Sequence, residues 1–259
     1  MLPSDYHNHP LGHDPNRRYD PETLAGWLSH AQAAGLSDVA LTDHDRYHQG
    51  VDFGAFARFR DTLPAGMHFR LGIELDNDPE TGSAGRRWVE QHYEQLEFIL
   101  GSVHFIDDWA FDHPHYQAEF ANWQIDQLYT AYYERIQATI REGIIDGLAH
   151  IDLIKIFGHR PAGDLTPLYR QTAKLIKDAD LTIELSTAGW RKPVGELYPD
   201  DQWLQLIKDY QIPITIASDA HAPNHLAADY DRLAQILDRW QFKEVAVFQN
   251  HQRQLIPLT

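Results

Sequence analysis

The sequence predicts one distorted (β/α) barrel of seven parallel strands. Two observations carry that reading: short apolar, β-branched runs alternate with longer amphipathic stretches, and the length of 259 residues suits a single α/β barrel. A third is the absence of punctuation: no repeat, low-complexity tract or linker divides the chain, so residues 1–259 are expected to form one domain.

The strand-like runs fall near 4–9, 39–44, 69–75, 98–105, 146–152, 182–187 and 213–219. Helix-like stretches lie between them. Pro21-Glu-Thr-Leu24 opens one that Gly35 stops, and Asn122 to Glu142 carries Trp123, Leu128, Tyr132 and Ile136 ahead of Gly143. Asp164–Asp178, Asp200–Asp209 and His225–Trp240 complete the main set. Strand–helix alternation of this kind makes right-handed βαβ units and a parallel sheet. An open nucleotide-binding sheet would place a glycine-rich turn after its first strand. Here that strand runs into His7-Asn-His-Pro-Leu-Gly-His13, and there is no phosphate-binding glycine loop.

Composition narrows the chemistry. The chain has no cysteine, so disulfides and thiolate metal sites are excluded and any metal must rest on histidine, carboxylate or water. A formal charge of −16 opposes nucleic-acid binding, which needs a basic footprint. The same charge suits a phosphorylated small molecule only if bound divalent cations invert the local field. No apolar run is long enough to span a bilayer and the N-terminus lacks a secretory pattern, so a cytoplasmic enzyme without a membrane partner is expected.

His7-x-His9 is weak evidence by itself, because 16 histidines in 259 residues produce about one such pair by chance. His113-Pro-His115 fits the same template and reads as the coincidence. Position is what gives His7 and His9 weight. Potential ligands close nearly every predicted strand: His7 and His9 the first, Asp43 and His44 the second, Glu74 the third, His104 the fourth, His150 the fifth, Asp219 and His221 the seventh. All strand C-termini of a parallel barrel share one rim, where barrel active sites are built. A capping aspartate or a satisfied core histidine explains any one of these residues better than catalysis does, but not the whole set. So many nitrogen and oxygen donors exceed one tetrahedral ion and suit a cluster of two or three, of the kind that hydrolyses phosphate esters. Mixed imidazole and carboxylate ligation is compatible with zinc, manganese or iron.

His-x-His near the start, Thr42-Asp-His-Asp45, the strand-end Glu74, Gly101-Ser-Val-His104 and Ser218-Asp-Ala-His221 follow one another as in the polymerase-and-histidinol-phosphatase (PHP) family, which the chain resembles from Asp5 to about Pro223. Three stretches resemble its histidinol-phosphatase branch: Gly101–Asp112, His150–Phe157, and the long Ser186-Thr-Ala-Gly-Trp-Arg-Lys-Pro-Val-Gly-Glu-Leu-Tyr-Pro199. The resemblance implies a phosphomonoesterase acting on L-histidinol phosphate at a trinuclear metal centre. His7, His9, Glu74 and Asp219 would hold the first ion. Glu74 would bridge to a second, completed by His104 and His150, and His44, His221 and His13 would hold the third. His13 stands closer to His7-x-His9 than its counterpart in many relatives, which leaves Asp14 and Asp20 as alternatives. Asp43 and Asp152 read as supports or caps rather than ligands.

For the phosphate oxygens, Arg191 is the first choice and Arg160 the second, with Lys155, Lys192 and Arg86/Arg87 behind them. Trp109, Phe111 and Trp190 are candidates for an apolar wall against an imidazole ring. Three other functions compete: a PHP phosphoesterase for a nucleotide, sugar phosphate or phosphotyrosine, a metal-dependent amidohydrolase, and a non-catalytic metal-binding module. No strand-end lysine stands out before His150, which weighs against the amidohydrolase. The near-complete ligand set weighs against the module.

Overall fold

All the barrel strands but the third are shorter than their apolar runs, because the polar residues that end those runs leave the hydrogen-bonded ladder. In the computed structural model, which describes residues 2–258, the elements follow in the order β1 (Ser4–Asp5), α1 (Pro21–Ala33), β2 (Asp38–Leu41), α2 (Phe53–Arg60), β3 (His68–Leu75), α3 (Gly82–His92) and β4 (Phe98–Gly101). A small hairpin, β5 (Phe105–Ile106) and β6 (Trp109–Ala110), precedes α4 (Ile125–Glu142), β7 (Gly147–Leu148), α5 (Thr166–Asp178), β8 (Thr182–Ser186), α6 (Asp201–Tyr210), β9 (Ile214–Ala217) and α7 (Tyr230–Arg239). A second hairpin, β10 (Glu244–Gln249) and β11 (Gln252–Pro257), follows.

The seven expected strands form one parallel sheet ordered β1-β2-β3-β4-β7-β8-β9. Its two edges meet: Tyr6 N donates to Ile216 O at 3.0 Å and His9 N to Ala220 O at 2.7 Å, which nearly closes the sheet into an α/β barrel. Closure matters here because it brings β1 and β9, some two hundred residues apart, to neighbouring positions on the same rim.

Local chemistry explains the helix boundaries. Asp20 caps α1 by accepting from Thr23 N at 2.8 Å, with Pro21 at the first helical position where its missing N–H costs nothing. On α4, Leu128, Tyr132, Ile136 and Ile140 recur every fourth residue and are all buried, and Gly143 ends the helix at φ 71°. This helix starts at Ile125 rather than near Asn122, because Pro114–Asn122 winds as a separate 3-10 turn. The sequence reading passed over α2, α3 and both hairpins.

The C-terminal hairpin turns at Asn250-His251, both at positive φ as a tight two-residue turn requires. Ala246, Val247 and Phe248 of β10 join Tyr6, Ala40, Phe98, Leu100 and Ala149 in a buried cluster of their own. Phe248 N donates to Tyr6 Oη at 2.7 Å, and that hydroxyl donates to Asp38 Oδ1 at 2.7 Å. Phe248 is 2% exposed and its ring lies 4.7 Å from that of Phe98. Phe248→Ala is expected to destabilise the protein by about 3–5 kcal/mol through lost burial and a cavity, read as a lowered urea midpoint. An unchanged midpoint would mean the hairpin contributes nothing to the barrel.

Candidate metal centre

Most barrel strands deliver their polar residues just past the last ladder bond, where the side chains converge, while Glu74 projects from within the β3 ladder. His7 and His9 follow β1, His44 follows β2, Glu74 lies on β3, His104 follows β4, His150 follows β7, and Asp219 and His221 follow β9. Their ligand atoms form four overlapping groups, each within 4.8 Å: His7, His9 and Asp219; His7, Glu74 and His150; His44, Glu74 and His104; His9, His44 and His221.

Glu74 sits at the middle. Its Oε2 lies 2.9 Å from His44 Nδ1, 3.2 Å from His7 Nε2 and 3.6 Å from His9 Nε2. Its Oε1 lies 3.4 Å from His150 Nε2 and 3.8 Å from His104 Nε2. The two oxygens of one carboxylate thus address two different histidine sets. Asp219 Oδ1 is 3.2 Å from His9 Nε2, 3.8 Å from His7 Nε2 and 3.5 Å from His221 Nδ1. His13 is exposed, yet its Nε2 lies 3.0 Å from His221 Nε2. Of the two alternatives to His13, Asp20 is spent as the α1 cap and Asp14 is an exposed side chain accepting from Asn16 N.

The donor set fits divalent metal ions. Glu74 and His7 are 0% exposed, yet both oxygens of Glu74, His7 Nε2 and His9 Nε2 have no hydrogen-bond partner among the described residues. Several buried acceptors aimed at one another would be costly in any other role. The electrostatics divide the groups: Glu184, Glu74 and Asp219 outweigh burial and hold His7 well above the ordinary imidazole value, while Glu74 and His9 are held down. Burial would raise the Glu74 carboxyl, but the charges of His44 and His7 outweigh it and hold the group well below the usual range. Burial, reinforced by His221 and His44, holds His9 well below the ordinary imidazole value and keeps its lone pair available.

Around this cluster lies a layer of supports that sequence reasoning only partly identified. Glu184, fully buried on β8, bonds His7 Nδ1 through Oε2 at 2.7 Å, and its Oε1 accepts from His150 N at 3.2 Å. Asp76 Oδ2 lies 3.0 Å from His104 Nδ1. These carboxylates fix which ring nitrogen faces inward. Asp43, read as a support, accepts from Leu11 N and Tyr19 Oη, both at 2.8 Å, and so holds the loop from His9 to His13. Burial pushes its carboxyl up to about 7 against those two hydrogen bonds. Asp152 is likewise internal, its Oδ2 accepting from Asp200 N at 2.9 Å and pairing with Lys155 Nζ at 2.7 Å.

Asp219 adopts φ 52°, a left-handed conformation that few residues other than glycine tolerate. The turn is pinned from both sides. Asp5 accepts from Ser218 N at 3.0 Å and from Ser218 Oγ at 2.6 Å, and Arg191 donates to Ser218 O.

The cluster opens into a cavity of about 340 Å3, with Arg46, Lys192, Tyr47 and Asp112 on its walls. The expected phosphate arginines do not line it. Arg191 is occupied by Ser218 O, Thr187 and Asp229, and Arg160 pairs with Glu196 at 2.7 Å beside a different cavity. Sequence could not show this, since which cation faces the cavity depends on carboxylates distant in the chain. Arg46, beside Asp76 at 3.4 Å, went unremarked in the sequence, although it adjoins the Thr42-Asp-His-Asp45 motif. Of the other weaker candidates, Lys155 is buried and Arg86 pairs with Glu90 and Glu142. The expected aromatic wall is also elsewhere. Phe111 packs on Tyr132, Trp109 on Phe120 and Trp123, and Trp190 lies under the Arg232 guanidinium. Phe105, Ala110 and His113 face the cavity instead, so His113 is nearer the site than its reading as a coincidence implied.

A family model described as PHP domain matches residues 22–188, nearly two thirds of the chain. The chain belongs to the PHP family. Within that family it is 31% identical over 229 residues to the "Probable histidinol-phosphatase" of Deinococcus radiodurans, spanning 81% of this chain and 85% of that protein. It is 24% identical over 181 residues to the histidinol-phosphatase of Bacillus subtilis, spanning 64% and 68%. The solved histidinol phosphate phosphatase of Lactococcus lactis, complexed with zinc, L-histidinol and phosphate, shares the fold at a TM-score of 0.76 and 17% identity, over 97% of this chain and 98% of that one. Among the described residues of this PHP protein, no helix is long and apolar enough to cross a membrane.

Proposed function

We propose that this PHP protein is a cytoplasmic phosphomonoesterase that hydrolyses L-histidinol phosphate to L-histidinol and phosphate, using two or three divalent ions. The observation that carries this reading is the convergence of imidazole and carboxylate donors around Glu74, in a chain 31% identical to a histidinol-phosphatase over most of its length. The solved Lactococcus lactis relative, complexed with zinc, L-histidinol and phosphate, supports the same substrate and metal type. His7, His9, Glu74 and Asp219 would hold one ion, His104 and His150 with Glu74 a second, and His44, His221 and His13 a third. Zinc, manganese and iron all accept this mixture of donors. When bound, such ions supply an activated water and neutralise charge developing on a transferring phosphoryl group.

The chain's own groups do the rest. Lys192 and Arg46 place positive charge on the cavity wall for phosphate oxygens, and Asp112 places a carboxylate there for the substrate's ammonium or imidazole. Arg191 acts at one remove, holding the carbonyl before Asp219 and so the aim of that carboxylate.

Lys192→Met and Arg191→Ala should therefore fail differently. The first is expected to raise KM about tenfold with metal content unchanged. The second is expected to lower metal content and to reduce kcat/KM about 10–100-fold. Full metal content in Arg191→Ala with a tenfold higher KM would return Arg191 to the phosphate. The substrate is tested by phosphate release from L-histidinol phosphate against a panel of phosphoesters, using protein of known metal content. A preference of about 100-fold in kcat/KM, near 3 kcal/mol of selective transition-state binding, is expected. Broad, weak turnover would overturn the substrate. No turnover with metal bound would overturn the enzyme and leave a binding module.

A further inference from the structure

The loop that follows His150 walls a second cavity, of about 210 Å3, which shares no lining residue with the metal cavity. Its inner surface is aromatic: Tyr129 and Tyr133 from α4, Tyr169 from α5 and Trp203 from α6, each no more than 6% exposed. The Tyr133 ring lies 4.7 Å from Tyr169 and 5.7 Å from Trp203. Asp152, Asp164 and Asp200 line the same space.

The cations there are already committed. Lys155 Nζ donates to Leu197 O at 2.7 Å and pairs with Asp152 Oδ2 at 2.7 Å, and Arg160 is paired with Glu196. The N-terminus of α6 would attract an anion, but the N–H groups of Gln202 and Trp203 donate to Asp200 Oδ1 at 3.1 and 3.2 Å. What remains is acceptor capacity and ring faces. Asp152 is 3% exposed, and its Oδ1 has no hydrogen-bond partner among the described residues. That oxygen is available to an N–H donor placed in the cavity, which has room for roughly seven waters.

We propose that this cavity is a binding site for a small organic cation, a primary ammonium on a short or flat apolar body, separate from the phosphoester site. Aromatic faces attract a cation through their quadrupoles, and the carboxylates supply acceptors for its N–H groups. A phosphate or carboxylate ligand would meet three carboxylates and no uncommitted cation. A neutral ligand would leave the charge of the site unanswered.

The test is calorimetric titration of the full, metal-loaded chain with three probes on one ring: phenethylammonium, its neutral N-acetyl derivative, and phenylacetate. One saturable site is expected for the ammonium, with the other two at least about tenfold weaker. Asp200→Ser keeps a helix cap while removing a charge, and is expected to weaken the ammonium about fivefold or more. Asp164→Asn, at the exposed rim, provides the same test should Asp200→Ser unfold. Equal binding of the three probes, or no saturable binding, would overturn the proposal. Unaltered ammonium affinity in both folded variants would also overturn it, by placing the ligand in the metal cavity.

Discussion

Asp219→Asn is expected to lose bound divalent metal and phosphoester turnover together, with kcat/KM falling at least about 100-fold, or roughly 3 kcal/mol of transition-state stabilisation. The substitution isolates charge from shape. Asparagine has nearly the same volume, and it is among the residues that best tolerate the φ of 52° found at this position, so the turn should survive. What is lost is the negative oxygen lying 3.2 Å from His9 Nε2 and 3.8 Å from His7 Nε2. Burial would raise the Asp219 carboxyl, but the charge of His7 and the hydrogen bond from His9 outweigh it and hold the group well below the usual range, so it is ready to bind a cation without first losing a proton. Elemental analysis beside a phosphate-release assay decides the matter. Full metal content with normal turnover would sink the assignment of Asp219, and with it the reading of the rim as a metal centre.

Glu184→Gln should separate a ligand from its support. Glu184 contacts His7 through one oxygen and His150 N through the other, so a single carboxylate braces the two histidines that share one group with Glu74. A glutamine offers only one oxygen. Either His150 N loses its acceptor or His7 Nδ1 faces an amide donor and the ring must change tautomer or turn. Metal affinity is expected to fall about 10–100-fold, the usual cost of removing such an orienting carboxylate, with activity at saturating metal partly recovered. Chelator-competition titration measures this directly. An unchanged affinity would reduce Glu184 to packing, and a collapse of the thermal transition would make it a folding residue instead.

Both experiments touch residues whose visibility in the sequence differs, and the difference is physical. The seven parallel strands were legible because β-branched apolar runs and intervening amphipathic stretches repeat along the chain. The donors around Glu74 were legible because a parallel barrel sends every strand's C-terminal end to one rim, so position along the sequence became position in space. The hairpin at Glu244–Pro257 was missed because its turn is Asn-His rather than a glycine pair, and because β10 reads as one more apolar run.

By itself, then, the sequence determined the barrel, the absence of thiolate chemistry and the residues at each strand end. Only the tertiary structure decided which of them face one another and which cations line the cavity. Glu184 sits mid-run in a buried strand, where nothing local distinguishes a brace for His7 from a core polar residue. Arg160 and Arg191 lie in suggestive segments, yet Glu196 and Asp229 hold them in place, while Lys192 and Arg46 line the cavity. Periodicity and turn chemistry are local and survive in one dimension. The aim of a long side chain is set by charges tens of residues away, and only folding brings those together.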